Sequence, residues 1–365
     1  MRGILTIVAV LVGMMIVKGQ DPHFSQFYAS PLTLNPALTG AFGGNYRFSA
    51  IYREQWGSIL RSNEQDKSGT ATFRTYAASF DMRTNQGLTD ADALGFGVNI
   101  MGDKAGAANF GTINASISLA YQKALNYDAN QFLAIGLHGG VVYRTIDIEN
   151  LRFGSQWDGF QYNSLLPIDN YVMTSLDQGF AFLDAGAGLL WYMVGNERFD
   201  AYLGASIFHV NTPDESFFDD DLTAELPMKY VGHGGIHFPL FGQVDLVPKF
   251  IVFSQGKSFE TNFGTEIKYF FDPQEPSGNA FYAGLMYRIV GGDKNAPWGD
   301  QALNGESVIM TASFDYEGLT VGASYDINVS ELSDASLTRG AFEVSAVYIG
   351  AFGRRKPKTV SCPRF

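Results

Sequence analysis

Five histidines, His23, His138, His209, His233 and His237, are the side chains here best suited to metal binding or proton transfer. Only His233 and His237 are close in sequence. On a strand four residues span about 13 Å, too far for two imidazoles to share one metal ion. A second group is acidic, with Asp214-Glu215, Asp219-Asp220-Asp221 and Glu225 crowding one stretch. Several carboxylates can hold calcium, but this stretch lacks the glycine turn of a calcium loop and reads more simply as a solvated loop. No Gly-x-Ser-x-Gly occurs, and Gly95-Phe96-Gly97 lacks the third glycine of a dinucleotide fingerprint and opens no helix. A Ser-His-Asp site assembled from distant residues leaves no sequence signature. These residues predict no catalytic, cofactor-binding or metal site, and the chain reads as a non-enzyme.

The elements that would carry such groups are strands. In Leu319-Thr320-Val321-Gly322-Ala323-Ser324-Tyr325-Asp326-Ile327 every odd position is apolar and every even one is polar or glycine. Successive side chains on a strand point to opposite faces, so the segment has one oily and one wet side. The same rhythm runs through Ile113–Gln122 and Val308–Asp315. Fourteen such segments are predicted, at roughly 45–56, 70–83, 93–103, 108–124, 131–146, 178–194, 198–210, 228–238, 243–255, 259–271, 279–291, 305–315, 319–327 and 339–352. An even count, segments near ten residues and alternately long and short gaps are the habit of outer-membrane barrels. The gaps after the third and ninth strands are short where that rule wants long ones.

Charge decides the facing. In Phe259–Tyr269, Glu260, Asn262, Glu266 and Lys268 share one parity, and three aromatics with Ile267 share the other. A lysine or arginine facing lipid at mid-membrane costs about 2–4 kcal/mol, so the charged parity faces the lumen. Arg288, between Tyr287 and Ile289, follows the same logic. Small polar residues such as Asn99, Asn114, Ser116, Ser118, Ser324 and Asp326 are assigned to the lumen as well. Aromatics near strand ends, among them Tyr52, Trp56, Tyr121, Tyr143, Trp191, Tyr192, Phe270, Phe271, Tyr287, Tyr348 and Phe352, suit the headgroup level. The fold class is therefore all-β, a transmembrane antiparallel β-barrel of about 14 strands. The competing reading is a soluble secreted sandwich.

Composition agrees. Glycine is 41 of 365 residues, phenylalanine and tyrosine number 30 and 18, and charged residues are only 17%. Arg2, the apolar run Ile4–Val17 and Lys18-Gly19 match a secretory signal, with cleavage predicted before Gln20 or Asp21. That run is about 14 residues, short of the roughly 20 that a spanning helix needs. A net charge of -12 gives no global pull toward nucleic acid. The only cysteine, Cys362, cannot form an intramolecular disulfide. Four regions follow: signal peptide 1–19, an extended N-terminal segment 20–44, the barrel 45–352 and a basic tail 353–365. Arg354-Arg355-Lys356-Pro357-Lys358 in that tail suits anionic lipid, an acidic partner or solvent alone.

The most distinctive stretch follows the signal: Gln20-Asp21-Pro22-His23-Phe24-Ser25-Gln26-Phe27-Tyr28, then Asn35-Pro36-Ala37, then Tyr52-Arg53-Glu54-Gln55-Trp56. This resembles the opening of the PorP/SprF family, outer-membrane proteins of the type IX secretion system in the Bacteroidota, and Cys362-Pro363-Arg364-Phe365 is similar to that family's ending. The resemblance implies an outer-membrane barrel that supports export or surface attachment of a partner carrying a C-terminal sorting domain, such as a gliding adhesin, beside the type IX core proteins. An outer-membrane channel or hydrophobic-solute transporter is the alternative that the barrel alone allows.

Pro22, Pro31 and Pro36 argue against helix or strand over residues 21–44. Phe24, Phe27, Tyr28, Leu32 and Leu34 are too many apolar anchors for a solvated tail. Two fates are open for the segment: a plug in or against the barrel mouth, and a periplasmic docking arm.

Overall fold

A computed structural model of the 365-residue chain describes residues 21–352 apart from 58–71, 86–90, 107, 149–150, 152, 164, 169–177, 196–197, 218–223, 273–278, 292–302, 331–332 and 334–335. The predicted signal peptide, the basic tail with Cys362, and Asp219-Asp220-Asp221 lie outside the described residues.

Fourteen antiparallel strands close into one barrel: Tyr46–Gln55 (β1), Phe73–Thr84 (β2), Ala93–Ala105 (β3), Phe110–Ala124 (β4), Gln131–Thr145 (β5), Gly179–Val194 (β6), Asp200–Phe208 (β7), Lys229–Phe241 (β8), Val244–Gln255 (β9), Ser258–Phe270 (β10), Ala280–Gly291 (β11), Asn304–Tyr316 (β12), Leu319–Asn328 (β13) and Arg339–Gly350 (β14). Each pairs with its sequence neighbours, and β1 pairs with β14 to complete the ring. Closure satisfies every strand edge, which a bilayer core demands because it offers no water to unpaired backbone. Among the described residues no helix is long and apolar enough to cross a membrane.

Alternation sets the two faces as the charge argument predicts. Glu260, Asn262, Glu266 and Lys268 of β10 are buried, whereas Phe263, Ile267 and Tyr269 face outward. Arg288 of β11 is buried inside, and Leu137, Leu183 and Leu285 stand out on the lipid side. Connections 56–72, 146–178, 209–228, 292–303 and 329–338 gather on one rim, which the loop asymmetry of such barrels makes the outer one. The opposite rim carries turns as short as Gly242-Gln243 and Glu317-Gly318. The β3–β4 and β9–β10 connections are short although they lie on the outer rim.

Two expectations need correction. Tyr192 and Phe270, assigned above to the headgroup level, point into the lumen: Tyr192 is fully buried, stacks on Phe132 at 4.9 Å and donates its hydroxyl proton to Gln122 at 2.9 Å. Residues 21–44 are also less extended than three prolines suggest. They contain a 3₁₀ turn at Phe27–Ala29, a helical turn at Pro31–Leu34 and a second 3₁₀ turn at Pro36–Leu38. Pro31 and Pro36 open their turns, where proline's fixed φ helps and its missing N–H costs nothing.

The lumen is not lined by polar groups alone. Phe27, Leu34, Ala37, Leu38 and Ala41 of the N-terminal segment form one apolar core with Phe132, Leu190, Tyr192, Phe208, Val231, Ile251, Phe253, Met286 and Ile309 of the wall. Each large apolar side chain buried there contributes roughly 1.5–3 kcal/mol. The core of this molecule therefore sits inside its ring.

Candidate functional site: the luminal segment and its clamp

From Asp21 to Gly44 the chain descends the lumen from the outer rim to the inner one. Asp21 meets His209 and Gln255, just past β7 and at the outer end of β9, and the N–H of Asn45 donates to Gly350 at the inner end of β14. Between these ends the segment is held at four levels.

The outermost hold is Asp21. One of its carboxylate oxygens lies 2.7 Å from His209 Nε2 and 3.6 Å from Lys229 Nζ, and His209 Nδ1 lies 2.8 Å from Asp184. Burial opposes charge on His209, but the hydrogen bonds to Asp184 and Asp21 outweigh it and hold the imidazole up to about 9. Burial opposes charge on Asp21 too, yet Lys229 and His209 keep its pKa well below the usual carboxylate range. A raised imidazole contributes stability that is complete below its ordinary value of 6.5 and is lost as pH rises through about 9. The thermal midpoint of the barrel is thus expected to fall across that window in the native protein and to stay flatter in His209→Gln. Equal slopes in the two proteins would remove His209 from the hold.

The second level is the densest. Consecutive N–H groups of Ser25 and Gln26 donate to the two carboxylate oxygens of Glu343, at 2.7 and 2.8 Å. The Ser25 hydroxyl donates to Asp326 at 2.8 Å and accepts from the guanidinium groups of Arg53 and Arg288. Arg53 pairs with Glu343 and Asp326, and Arg288 with Asp326, Glu260 and Glu306. His23 adds a 3.0 Å contact to Glu260. Gln26 closes the set, donating to Ser324 and accepting from Ser345. All but Glu306 and His23 are buried, so each charge depends on its partners.

Below this, the Tyr28 hydroxyl donates to Glu266 at 2.8 Å, Lys249 donates to the other oxygen of Glu266 at 2.7 Å, and the Lys249 ammonium lies 3.5 Å from the centre of the Tyr28 ring. Asn35 spans the lumen toward β6–β8, donating to the carbonyls of Leu189 and Ala205 and sitting 3.0 Å from His233 Nε2.

The innermost level is a seal. The Gly40 N–H and Arg47 both donate to Asp81, Arg47 also reaches the Leu38 carbonyl at 3.0 Å, and Gln122 donates to the Thr39 carbonyl at 3.1 Å. Here the wall comes so close that side chains are excluded. A methyl group at Gly136 would overlap the backbone of Pro36 and Ala37, and one at Gly188 would overlap Asn35 Oδ1.

The histidines thus divide among separate tasks. His23 belongs to the segment and reaches Glu260, His209 and His233 hold the segment from the wall, His138 contacts Asp184 at 3.2 Å, and His237 contacts Asp245 at 2.7 Å. Among the described residues no group of three or more His, Cys, Asp or Glu could hold a metal ion. In the acidic stretch, Asp214 bridges Glu225 through the backbone and Glu215 pairs with Arg144. Sequence reasoning did not assemble the clamp, because its partners are as many as 319 residues apart. The available signal was Arg53, Glu260, Arg288, Asp326 and Glu343 all falling on lumen parity.

Solved structures with a similar course are barrels of low identity. BamA from Haemophilus ducreyi lacking POTRA domains 1–3 matches with TM-score 0.44 and 10% identity, over 84% of this chain and 70% of that one. A Pseudomonas aeruginosa FadL homologue gives 0.44 and 10% over 86% and 92%, and CdiB from Escherichia coli gives 0.43 and 7% over 82% and 63%. A search of curated proteins found no match. The sequence model of the type IX secretion system membrane protein PorP/SprF matches residues 16–348. That span holds the whole described luminal segment and all but the last residues of the barrel, and the chain belongs to the PorP/SprF family of type IX secretion membrane proteins, in the outer membrane.

Proposed function

We propose that this barrel is a closed, non-catalytic holding station of type IX secretion. It supports export or surface attachment of a partner with a C-terminal sorting domain without passing that partner through its own lumen. The observation that carries this reading is the lumen, crossed from rim to rim by residues 21–44 and filled by a shared apolar core. In this reading the segment is a plug, and recognition falls to the outer loops and to type IX core proteins beside the barrel. Loops on a rigid scaffold are where recognition concentrates. The β5–β6 connection offers Trp157, Phe160 and Leu165, the last two more than nine-tenths exposed, as an apolar contact.

The test compares cells lacking the protein with cells carrying the native chain or a Trp157→Ala/Phe160→Ala/Leu165→Ala variant. The expected result is loss of the sorting-domain partner from the cell surface without the protein, and weaker co-purification of that partner with the variant. Unchanged secretion in its absence, together with impaired uptake of a hydrophobic solute, would favour the transporter reading instead.

A further inference from the structure

A cavity of about 100 Å³ lies between the luminal segment and the β3–β9 wall, and its lining reaches the outer ends of β3, β4, β5 and β8. By the volume one water occupies, it has room for several. One side is apolar, with Phe24 and Leu32 of the segment and Val142 of β5. The opposite side, on β3 and β4, carries oxygen groups on either side of Met101. Asn99 Oδ1 and Asn114 Oδ1 are buried with no hydrogen-bond partner, and Asp103 stands beside them.

Charge around the cavity cancels except at one place. Arg144 is paired with Glu215, Lys229 with Asp21, and His209 with Asp21 and Asp184, which also contacts His138. His23 is engaged by Glu260. Asp103 makes no salt bridge among the described residues, feels Arg53 only from a distance, and accepts the Thr75 hydroxyl at 2.6 Å. A carboxylate and unfilled amide oxygens facing an oily wall are complementary to a charged donor on an apolar stem.

We propose that this outer vestibule binds an organic cation, an ammonium or guanidinium group on a short alkyl stem, that enters from the cell exterior. The head sits between Asp103, Thr112 and Asn114, which share the β3–β4 ladder with Asp103 opposite Thr112 and Met101 opposite Asn114. The stem lies against Phe24 and Leu32. The segment therefore supplies one wall of the site as well as filling the lumen below it. Bare metal ions are served less well, since half of the lining offers them no ligand.

The probe is n-butylammonium chloride, titrated calorimetrically into the full-length barrel in nonionic detergent at neutral pH, with 1-butanol and calcium chloride as separate titrants. The expected result is saturable amine binding that weakens about tenfold, or about 1.4 kcal/mol, in Asp103→Asn. Asn114→Leu, which fills the cavity without touching Asp103, abolishes it. Heat-modifiable gel mobility checks that both variants are folded, and each is an independent arm if the other is not. Absence of saturable amine binding, equal binding by butanol, amine binding indifferent to both substitutions, or Asp103-dependent binding of calcium in place of the amine would each overturn the assignment.

Discussion

Deleting residues 21–44 converts a closed barrel into an open pore. In planar bilayers the native protein is expected to show little steady conductance, because apolar side chains from the segment and from β5–β9, β11 and β12 meet in the middle of the lumen. Without the segment, an arc of 14 strands encloses a wider interior than the eight-stranded barrels that side chains alone can fill. Ions then cross freely, and the conductance rises several-fold. The apolar wall left behind, including Phe208, Val231, Ile251 and Phe253, is exposed to water, so the deletion also lowers the thermal midpoint. A milder form of the experiment keeps the segment and makes Gly188→Leu, which pushes Asn35 from its seat. Conductance indistinguishable from native in the deletion would sink the view that this segment closes the lumen and leave the docking arm as the better account.

Replacing Arg288 with methionine produces the largest loss of stability expected from a single substitution here. Its guanidinium serves Asp326, Glu260 and Glu306 and donates to the Ser25 hydroxyl, and it is almost fully buried. Taking away one partner of a buried charged set strands the others without compensation, which costs about 3–5 kcal/mol. Methionine keeps much of the volume, so the effect is electrostatic. The accompanying Asp326→Asn removes one stranded charge and restores part of the loss, a coupling that a double-mutant cycle reads directly. The measurement is the urea midpoint of the folded, heat-modifiable band. A native midpoint in the single variant would mean that the network is solvated and contributes little.

Much of this architecture was legible. All fourteen strands fall where alternation puts them, most within three residues of their observed ends, because a ring between lipid and lumen imposes a period of two that no other force competes with. Parity also placed Glu260, Glu266, Lys268 and Arg288 correctly. Position near a strand end misplaced Tyr192 and Phe270, although both lie on the inward parity, since an aromatic at a strand end looks the same whether it faces headgroups or a packed interior. Inward apolar residues such as Ile251 and Ile309 blur alternation for the same reason, and only the presence of the luminal segment explains them. Pro31 and Pro36 looked like breakers but act as starts, which depends on a single turn forming after each. The clamp was the least legible part. The Asp21–Gln26 motif, the Asn35-Pro36-Ala37 triplet and Arg53 stood out as a resemblance, whereas their partners Glu343, Asp326, His209 and Asp81 are ordinary inward residues until the ring brings them together.

Arg53 and Glu343 face each other across β1 and β14, the joint at which the sheet meets its own beginning, and the same two residues grip Ser25 and Gln26. The segment that they grip runs directly into β1, so the seating of the plug and the closing of the ring share the same two side chains. The pair that joins the first and last strands is thus completed by the amino-terminal stretch, so a molecule in which that stretch is misplaced closes its ring over unmet buried charge and is held shut more weakly at that joint.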